Sequence, residues 1–316
     1  MSCRGAEQTE GNNMSDKQIG FIGLGAMGAG MAANLLKAGF AVTGFDIRAD
    51  AVDALKGLGG SGAASPAEAA KGADILFVMV ATAGQTESVL FGENGALETL
   101  PAGTIVVLTA TVPPDYARTL AGRLTDSGYR MLDAPVSGGT VGAESGNLTI
   151  MASGSDDVFA DMDAALQAVA GKVYKLGSEA GIGSTVKMAN QLLAGVHIAA
   201  AAEAMALGTR AGADPRTLYD VISNSAGNSW MFTNRVPHML DGDYTPLSAV
   251  EIFIKDLGIV LDTGRELRFP LPIAGASHQM FLAAAAAGHG REDDSAVVKV
   301  YEQLAGISVT SPKKEG

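Results

Sequence analysis

The chain has 316 residues, of which 47% are hydrophobic, a composition that supports a large core and suits two domains. Its formal net charge is −12, and this acidic surface argues against nucleic acids and anionic membranes as partners. The single cysteine, Cys3, excludes an internal disulfide and fits a reducing cytoplasm. The sequence contains no uncharged apolar run of about 18 residues, so it predicts no membrane span.

The first predicted strand, residues 18–22, follows a polar stretch, residues 1–16, that lacks the apolar core of a signal peptide and is expected to be a disordered extension. The strand leads into Gly-x-Gly-x-x-Gly at residues 23–28, and a helix follows over residues 29–37. In such a strand–turn–helix unit the glycines permit a tight turn, close approach of a pyrophosphate and tight helix packing. The predicted phosphate-binding residues are Gly23, Leu24, Gly25, Met27 and Gly28.

Asp46 ends the second predicted strand, residues 41–45, about 20 residues beyond the glycine turn, where a ribose-binding acid is expected. A carboxylate here accepts hydrogen bonds from ribose hydroxyls and repels a 2′-phosphate. The sequence therefore favours NAD over NADP as cofactor. Arg48 is a feature that would instead favour a phosphate, and a simple turn aspartate is the alternative interpretation of Asp46.

Strands and helices alternate through the first half of the chain and give way to helices alone in the second. The predicted strands continue at residues 74–80, 104–108, 129–132, 148–152 and 172–176, with helices at 51–58, from 113–114 onward, and at 156–169. This alternation predicts a doubly wound α/β domain over residues 17–181. Helices at 184–210, from 214–215 onward, and at 248–267, 273–287 and 293–304 predict an all-helical domain over residues 182–316.

The long helix predicted over residues 184–210 is rich in alanine and carries Lys187 near its start. Asn190 and Gln191 follow three and four residues later, so they share the face of the lysine. A lysine beside carboxamides on an otherwise apolar helix indicates a polar pocket wall, where desolvation depresses the lysine pKa toward the range of a general base. The alternative is a lysine whose ammonium reaches solvent from the first helical turn.

Ser137, Gly138 and Gly139 follow a predicted strand, at the sheet edge where open α/β folds bind ligands. A hydroxyl and two unhindered backbone N–H groups would form an anion site for a carboxylate, although an ordinary turn has the same composition. Trp230 and Phe232 are equally suited to closing a pocket and to core packing. Four histidines without ligand spacing and one cysteine predict no metal site.

In combination, four segments resemble the β-hydroxyacid dehydrogenase family across residues from about 18 to 310. The segments are 23–28 with Asn34, 133–139, 183–187 and 255–257. The resemblance implies an N-terminal Rossmann domain, then an all-helical domain built on a long spine helix. It implies that Lys187 is catalytic and that Ser137, Gly138 and Gly139 hold the substrate carboxylate. It also implies substrate contacts from Gln191 and Asn190 and cofactor contacts from Thr111 and Lys255.

Within the family, residues 191–198, 226–232, 241–246 and 292–297 resemble the members that oxidise L-threonate. Asn190 departs from them, because a histidine is expected there, and Asn-Gln is the pattern of tartronate semialdehyde reductases. The resemblance implies NAD-dependent oxidation of a small hydroxy acid, with L-threonate expected and tartronate semialdehyde or 3-hydroxyisobutyrate as alternatives. We expect a cytoplasmic homodimer or homotetramer. A non-catalytic NAD-binding sensor or scaffold is the alternative of another class.

Overall fold

The computed structural model describes residues 17–311, so the predicted extension at residues 1–16 lies outside the described residues. The first part of the chain contains a six-stranded sheet in which every neighbouring pair is parallel. Its strands are β1 (Gln18–Ile22), β2 (Ala41–Phe45), β3 (Ser61–Gly62), β4 (Ile75–Val78), β5 (Ile105–Leu108) and β6 (Arg130–Asp133). Their order, β3-β2-β1-β4-β5-β6, confirms the predicted doubly wound arrangement.

Helices cover both faces of this sheet, so its central strands are buried throughout. The helices are α1 (Gly28–Lys37), α2 (Ala49–Gly57), α3 (Pro66–Ala70), α4 (Ala83–Phe91) and α5 (Pro114–Asp126). One face packs around Phe21 and Phe77, whose rings stack with centroids 5.4 Å apart, and the other around Leu76 and Val106. Burial on both faces explains the uninterrupted apolar runs of β4 and β5.

A second, smaller sheet follows, which the sequence did not predict as a separate unit. It contains β7 (Val136–Ser137), β8 (Leu148–Ala152) and β9 (Ala170–Lys175), with α6 (Gly139–Glu144) and α7 (Asp156–Val169) between them. β8 pairs with β7 in antiparallel and with β9 in parallel orientation, so neither of the two predicted strands extends the main sheet. Two hydrogen bonds between the backbones of Asp133 and Ser153 connect the sheets. We call all strands and α1–α7 the sheet region.

The rest of the described chain is helical and forms its own hydrophobic cluster, which we call the helical region. It contains α8 (Ile182–Arg210), α9 (Pro215–Ser223), α10 (Trp230–Asp241), α11 (Val250–Glu266), α12 (Pro272–Ala284) and α13 (Val298–Ala305). α8 packs against α10, α11, α12 and α13, which confirms the predicted spine. Among the described helices, α8 has the length and apolar composition of a membrane span, and here it is the central helix of this bundle.

The two regions are joined through the carboxylate of Asp133, at the end of β6. It accepts hydrogen bonds from the N–H groups of Gly181 and Ser184 at 2.8 and 2.9 Å and from the Ser184 hydroxyl at 2.7 Å. The Ser153 hydroxyl contributes a fourth contact at 3.3 Å. A Cβ atom on Gly183 would lie 2.4 Å from the carbonyl oxygen of Met151, so glycine is required for this approach. The N-terminus of α8 is therefore fixed against the carboxyl edge of β6.

Replacing this carboxylate is predicted to be costly. Asp133→Ala would leave two buried N–H groups and two buried hydroxyls without their acceptor, so we expect a loss of roughly 3–5 kcal/mol in the free energy of unfolding. Denaturant unfolding monitored by circular dichroism measures the loss. Asp74→Ala is the matched control, because Asp74 accepts one exposed backbone hydrogen bond, from Gln18. Equal losses in the two variants would contradict the role of Asp133.

Candidate active site

A cavity of about 1030 Å³ lies between the carboxyl edge of the main sheet and helices α8, α10 and α11. It brings together nearly all residues that the sequence predicts for cofactor and substrate. The lining includes Gly23, Gly25, Met27, Gly28, Asp46, Thr111, Ser137, Gly138, Gly139, Lys187, Asn190, Gln191 and Lys255. Leu24 does not line the cavity, because its side chain is buried in the core beneath the sheet edge.

The glycine turn after β1 has the geometry of a phosphate cradle. Gly23 has φ +94°, and a Cβ atom there would lie 2.2 Å from the carbonyl oxygen of Met79. A Cβ atom on Gly28 would lie 1.9 Å from the carbonyl oxygen of Gly23, whereas one on Gly25 would meet nothing within 4 Å. The first and third glycines thus allow close packing, and the second leaves the backbone open to a ligand. These residues fit the pyrophosphate of a dinucleotide.

Two backbone N–H groups orient the side chain of Asp46. Its carboxylate accepts the N–H of Leu24 at 2.7 Å and the N–H of Arg48 at 2.9 Å. The Arg48 guanidinium lies 3.8 Å from the carboxylates of both Asp46 and Asp50, so its charge is partly neutralised. Asp46 is thereby oriented at the cavity wall as an acceptor for ribose hydroxyls, and Leu24 takes part through its backbone.

Lys187 lies in the second turn of α8, and 7% of its surface is exposed. The pKa of its ammonium group is lowered from 10.5 to about 8, mainly by burial; the negative charge of Asp256 opposes this shift and the positive charge of Lys255 adds to it. None of the hydrogen bonds found in residues 17–311 uses its Nζ atom, although the residue lines the cavity. The side chain thus offers an amine that changes its proton occupancy near neutral pH.

A chain of polar contacts surrounds this amine. Asn190 donates to the Oε1 atom of Gln191 at 3.0 Å, and Gln191 donates to Asp256, which is 2% exposed. Lys255 lies 2.8 Å from the other Asp256 oxygen in an ion pair whose angles fall outside hydrogen-bond geometry. Asp256 was not predicted as a site residue, although the sequence drew attention to its neighbour Lys255.

Lys255 also connects the helical region to the sheet region across the cavity. Its Nζ atom donates to the carbonyl oxygens of Ala81 and Thr111, at 2.8 and 3.2 Å. Thr111 and Lys255, both predicted from the family resemblance to contact the cofactor, are therefore in direct contact with each other. The contact holds α11 against the loops that follow β4 and β5.

The predicted anion site is the turn between β7 and α6. Ser137 ends β7, and Gly138 and Gly139 have φ values of +131° and +64°, which L side chains rarely adopt. Gly139 is unobstructed, since a Cβ atom there would meet nothing within 4 Å. A hydroxyl and two accessible peptide units thus border the cavity, as the sequence predicts for a carboxylate site.

The two aromatic residues on α10 differ: one borders the cavity and the other packs in the core. Trp230 is 63% exposed and lines the cavity, whereas Phe232 is 4% exposed and packs in the helical core. Asn234 and Arg235 also line the cavity and were not predicted. Because their segment is polar in composition, nothing in the sequence distinguished these two residues as site residues. Within the described residues, no three His, Cys, Asp or Glu side chains are grouped so as to hold a metal ion.

Comparisons with known proteins agree with this arrangement. A family model described as the NAD binding domain of 6-phosphogluconate dehydrogenase matches residues 18–177. A second, described as NAD-binding of NADP-dependent 3-hydroxyisobutyrate dehydrogenase, matches residues 181–301. An L-threonate dehydrogenase of Cupriavidus necator is 58% identical over 285 residues, covering 90% of this chain and 96% of the relative. A relative of the same name from Escherichia coli K12 is 50% identical over 92% of this chain and 96% of its own length.

Solved structures show the same fold. A crystal structure named 3-hydroxyisobutyrate dehydrogenase, from Salmonella typhimurium, has a TM-score of 0.86 at 49% identity and covers 90% of this chain and 100% of its own. A Mycobacterium tuberculosis 3-hydroxyisobutyrate dehydrogenase with L-serine has a TM-score of 0.80 at 30% identity, covering 90% of this chain and 99% of its own.

The depressed pKa of Lys187 leads to a stability prediction. The folded protein binds fewer protons than the unfolded chain between about pH 8 and 10.5. Burying the charged lysine therefore lowers the free energy of unfolding in full below about pH 8. This cost disappears above about pH 10.5, where the amine is neutral in both states. Lys187→Met should therefore raise the free energy of unfolding at pH 7 by up to about 3 kcal/mol. Urea unfolding at pH 7 and at higher pH, with exposed Lys71→Met as control, measures this. A Lys187→Met gain that does not shrink as the pH rises would contradict it.

Proposed function

The chain belongs to the 3-hydroxyisobutyrate dehydrogenase-like family of β-hydroxyacid dehydrogenases, and we propose that it oxidises L-threonate to 2-oxo-tetronate with NAD. The observation that carries the proposal is the 58% identity to an L-threonate dehydrogenase over nearly the whole length of both chains. The cavity supports the chemistry, because it places an amine of depressed pKa, an anion-binding turn and a dinucleotide cradle on one surface.

The cofactor supplies the hydride acceptor when bound. Gly23, Gly25 and Gly28 would hold its pyrophosphate, and Asp46 would accept hydrogen bonds from its adenosine ribose. Met27, Thr111 and Lys255 would contact the remainder, and the Leu24 N–H would act indirectly by orienting Asp46. Because the Arg48 guanidinium lies near the carboxylates of both Asp46 and Asp50, a 2′-phosphate would meet an acidic environment, which favours NAD.

Lys187 would act as the general base. Its amine, neutral above about pH 8, accepts the hydroxyl proton of the substrate as the C–H bond is broken, and its ammonium returns that proton in the reverse direction. Proton transfer by a positioned side chain contributes about 10²–10⁴-fold to the rate. Ser137, Gly138 and Gly139 would hold the substrate carboxylate. Gln191, fixed by Asp256, and Asn190 would contact the reacting end of the substrate.

The names of the relatives include competing substrates, of which 3-hydroxyisobutyrate comes with the highest identity. The Salmonella structure, 49% identical, bears the name 3-hydroxyisobutyrate dehydrogenase, whereas relatives at 50–58% bear the name L-threonate dehydrogenase. The two reactions differ in which carbon carries the reacting hydroxyl, and they require the same amine and carboxylate site. L-threonate is preferred here because the more similar relatives carry that name.

We also propose the organisation of the whole chain. Residues 17–181 would form the NAD-binding domain and residues 182–316 the substrate and oligomerisation domain, a division supported by the separate hydrophobic clusters of the two regions. A homodimer or homotetramer is supported by exposed apolar side chains along the spine helix, among them Leu193 and Leu207, which are 54% and 69% exposed. A cytoplasmic location fits a chain with a single cysteine.

A substrate panel tests the function. We expect NADH formation, followed at its absorbance band, with L-threonate and NAD, and much slower turnover with NADP, glycerate or 3-hydroxyisobutyrate. Lys187→Met should bind NADH normally and lose at least about 100-fold in kcat. Preferred turnover of 3-hydroxyisobutyrate would reject the substrate assignment, and no turnover of any small hydroxy acid would favour a sensor. Near-native turnover by Lys187→Met would reject the base.

The pH dependence of the two directions should be opposite. Oxidation requires the neutral amine, so its kcat/KM should rise with pH through about 8 and then level off. Reduction requires the ammonium, so its kcat/KM should fall as the pH rises through the same value. Initial rates in both directions between about pH 6 and 10 measure this, and parallel profiles in the two directions would contradict a proton carried by Lys187.

A further inference from the structure

One wall of the cavity is formed by α10, through Trp230, Met231, Asn234 and Arg235, which we call the α10 wall. α8 contacts β6 and β8 at the sheet region and packs along α10 in the helical region. The same cavity is lined by the Ser137–Gly139 turn from the sheet region, by Lys187 from α8 and by the α10 wall from the helical region. A substrate whose carboxylate occupies the turn and whose reacting carbon lies at Lys187 would extend its remaining carbons toward α10.

A buried charge pair stands behind this wall. Arg235 is 7% exposed, and its Nε and Nη2 atoms donate to the two oxygens of Asp294 at 2.6 and 3.1 Å. Such a two-pronged pair fixes the guanidinium plane. Asp294 is fully buried, and its N–H donates to the carbonyl of Ser248, in a loop that also lines the cavity. The positive charge of Arg235 is thus neutralised, so this wall is not an anion site.

The third nitrogen of the Arg235 guanidinium orients the side-chain amide of Asn234. Arg235 Nη1 donates to the Oδ1 atom of Asn234. Because a guanidinium cannot donate to an amide nitrogen, this contact determines which way the amide is turned. No hydrogen bond in the described part of the chain uses the Nδ2 atom of Asn234, and the residue is exposed to the cavity. Two amide N–H donors are therefore available beside the apolar surfaces of Trp230 and Met231.

We propose that Asn234, oriented by the Arg235–Asp294 pair, binds a hydroxyl of the substrate beyond the reacting carbon and so selects a polyhydroxylated acid. This rests on the proposed function, since it assumes that a hydroxy acid lies along the cavity. A neutral donor suits a neutral hydroxyl tail and offers nothing to a methyl group. Arg235 and Asp294 act as positioning residues. They would not touch the substrate.

Asn234→Ala tests the proposal with two substrates of equal carbon number. L-Threonate carries hydroxyls beyond C2, whereas 2-hydroxybutyrate, used as the racemate, carries none. We expect kcat/KM for L-threonate to fall about 10-fold, mainly through KM, the equivalent of one net hydrogen bond, and kcat/KM for 2-hydroxybutyrate to stay within about twofold. Asn224→Ala is the matched control, because this exposed asparagine lies outside the cavity lining and should leave both values unchanged.

Equal losses for both substrates, or no loss for L-threonate, would overturn the proposal. Arg235→Lys keeps the charge but cannot bridge Asn234 and Asp294 together, so it should raise KM for L-threonate selectively; a selective fall in kcat instead would count against the positioning role. If the wild-type protein oxidises no hydroxy acid, the proposed function fails. Calorimetric Kd values for L-threonate with NADH present then decide: weaker binding by Asn234→Ala supports the proposal, and an unchanged Kd or no binding to either protein overturns it.

Discussion

The cavity between the two regions depends on one carboxylate, Asp133, at the last position of a strand in the main sheet. It accepts the N–H groups at the start of α8, so the helix that carries Lys187 begins at a fixed distance from the sheet edge. The same strand continues within four residues to the Ser137 turn. The proposed base and the proposed carboxylate site are thus positioned from one point, although 50 residues separate Lys187 from Ser137 in the sequence.

Electrostatic compensation explains why a lysine can be buried beside this point. Desolvation favours the neutral amine, and the nearby positive charge of Lys255 acts in the same direction, while Asp256 opposes both. Asp256 is in turn engaged by Lys255 and Gln191. The cavity therefore contains a balanced set of buried charges and amides, which leaves Lys187 able to change its protonation state near neutral pH. Lys255 also bonds to the Ala81 carbonyl, so this balance depends on the two regions being in contact.

The sequence predicted the main sheet and the spine helix well, and it was less successful with short or polar elements. β4 and β5 are continuous apolar runs that are fully buried, β1 is apolar and buried after Gln18, and β2 alternates between buried and more exposed positions, as their compositions predict. β8 and β9 were recognised as strands, but their separate sheet was not, because strand pairing depends on contacts distant in sequence. The short β3 and α3 carry few residues to form a pattern. The sequence did not predict α10, which contains Pro237, and the helix predicted over 273–287 is an α-helix to Ala284 that continues as a π-helical turn, Ala285–His289.

Local sequence alone determined the glycine turn, the acid after β2, and the spacing that places Gln191 on the face of Lys187, because turns and helices are set by neighbouring residues. The tertiary structure decided everything that depends on residues meeting from different elements. It showed that Asp256 holds Gln191, that Asp133 caps the spine helix, that Trp230 borders the cavity while Phe232 enters the core, and that Arg235 turns the Asn234 amide. Such contacts join residues far apart in the chain, where periodicity and spacing carry no information.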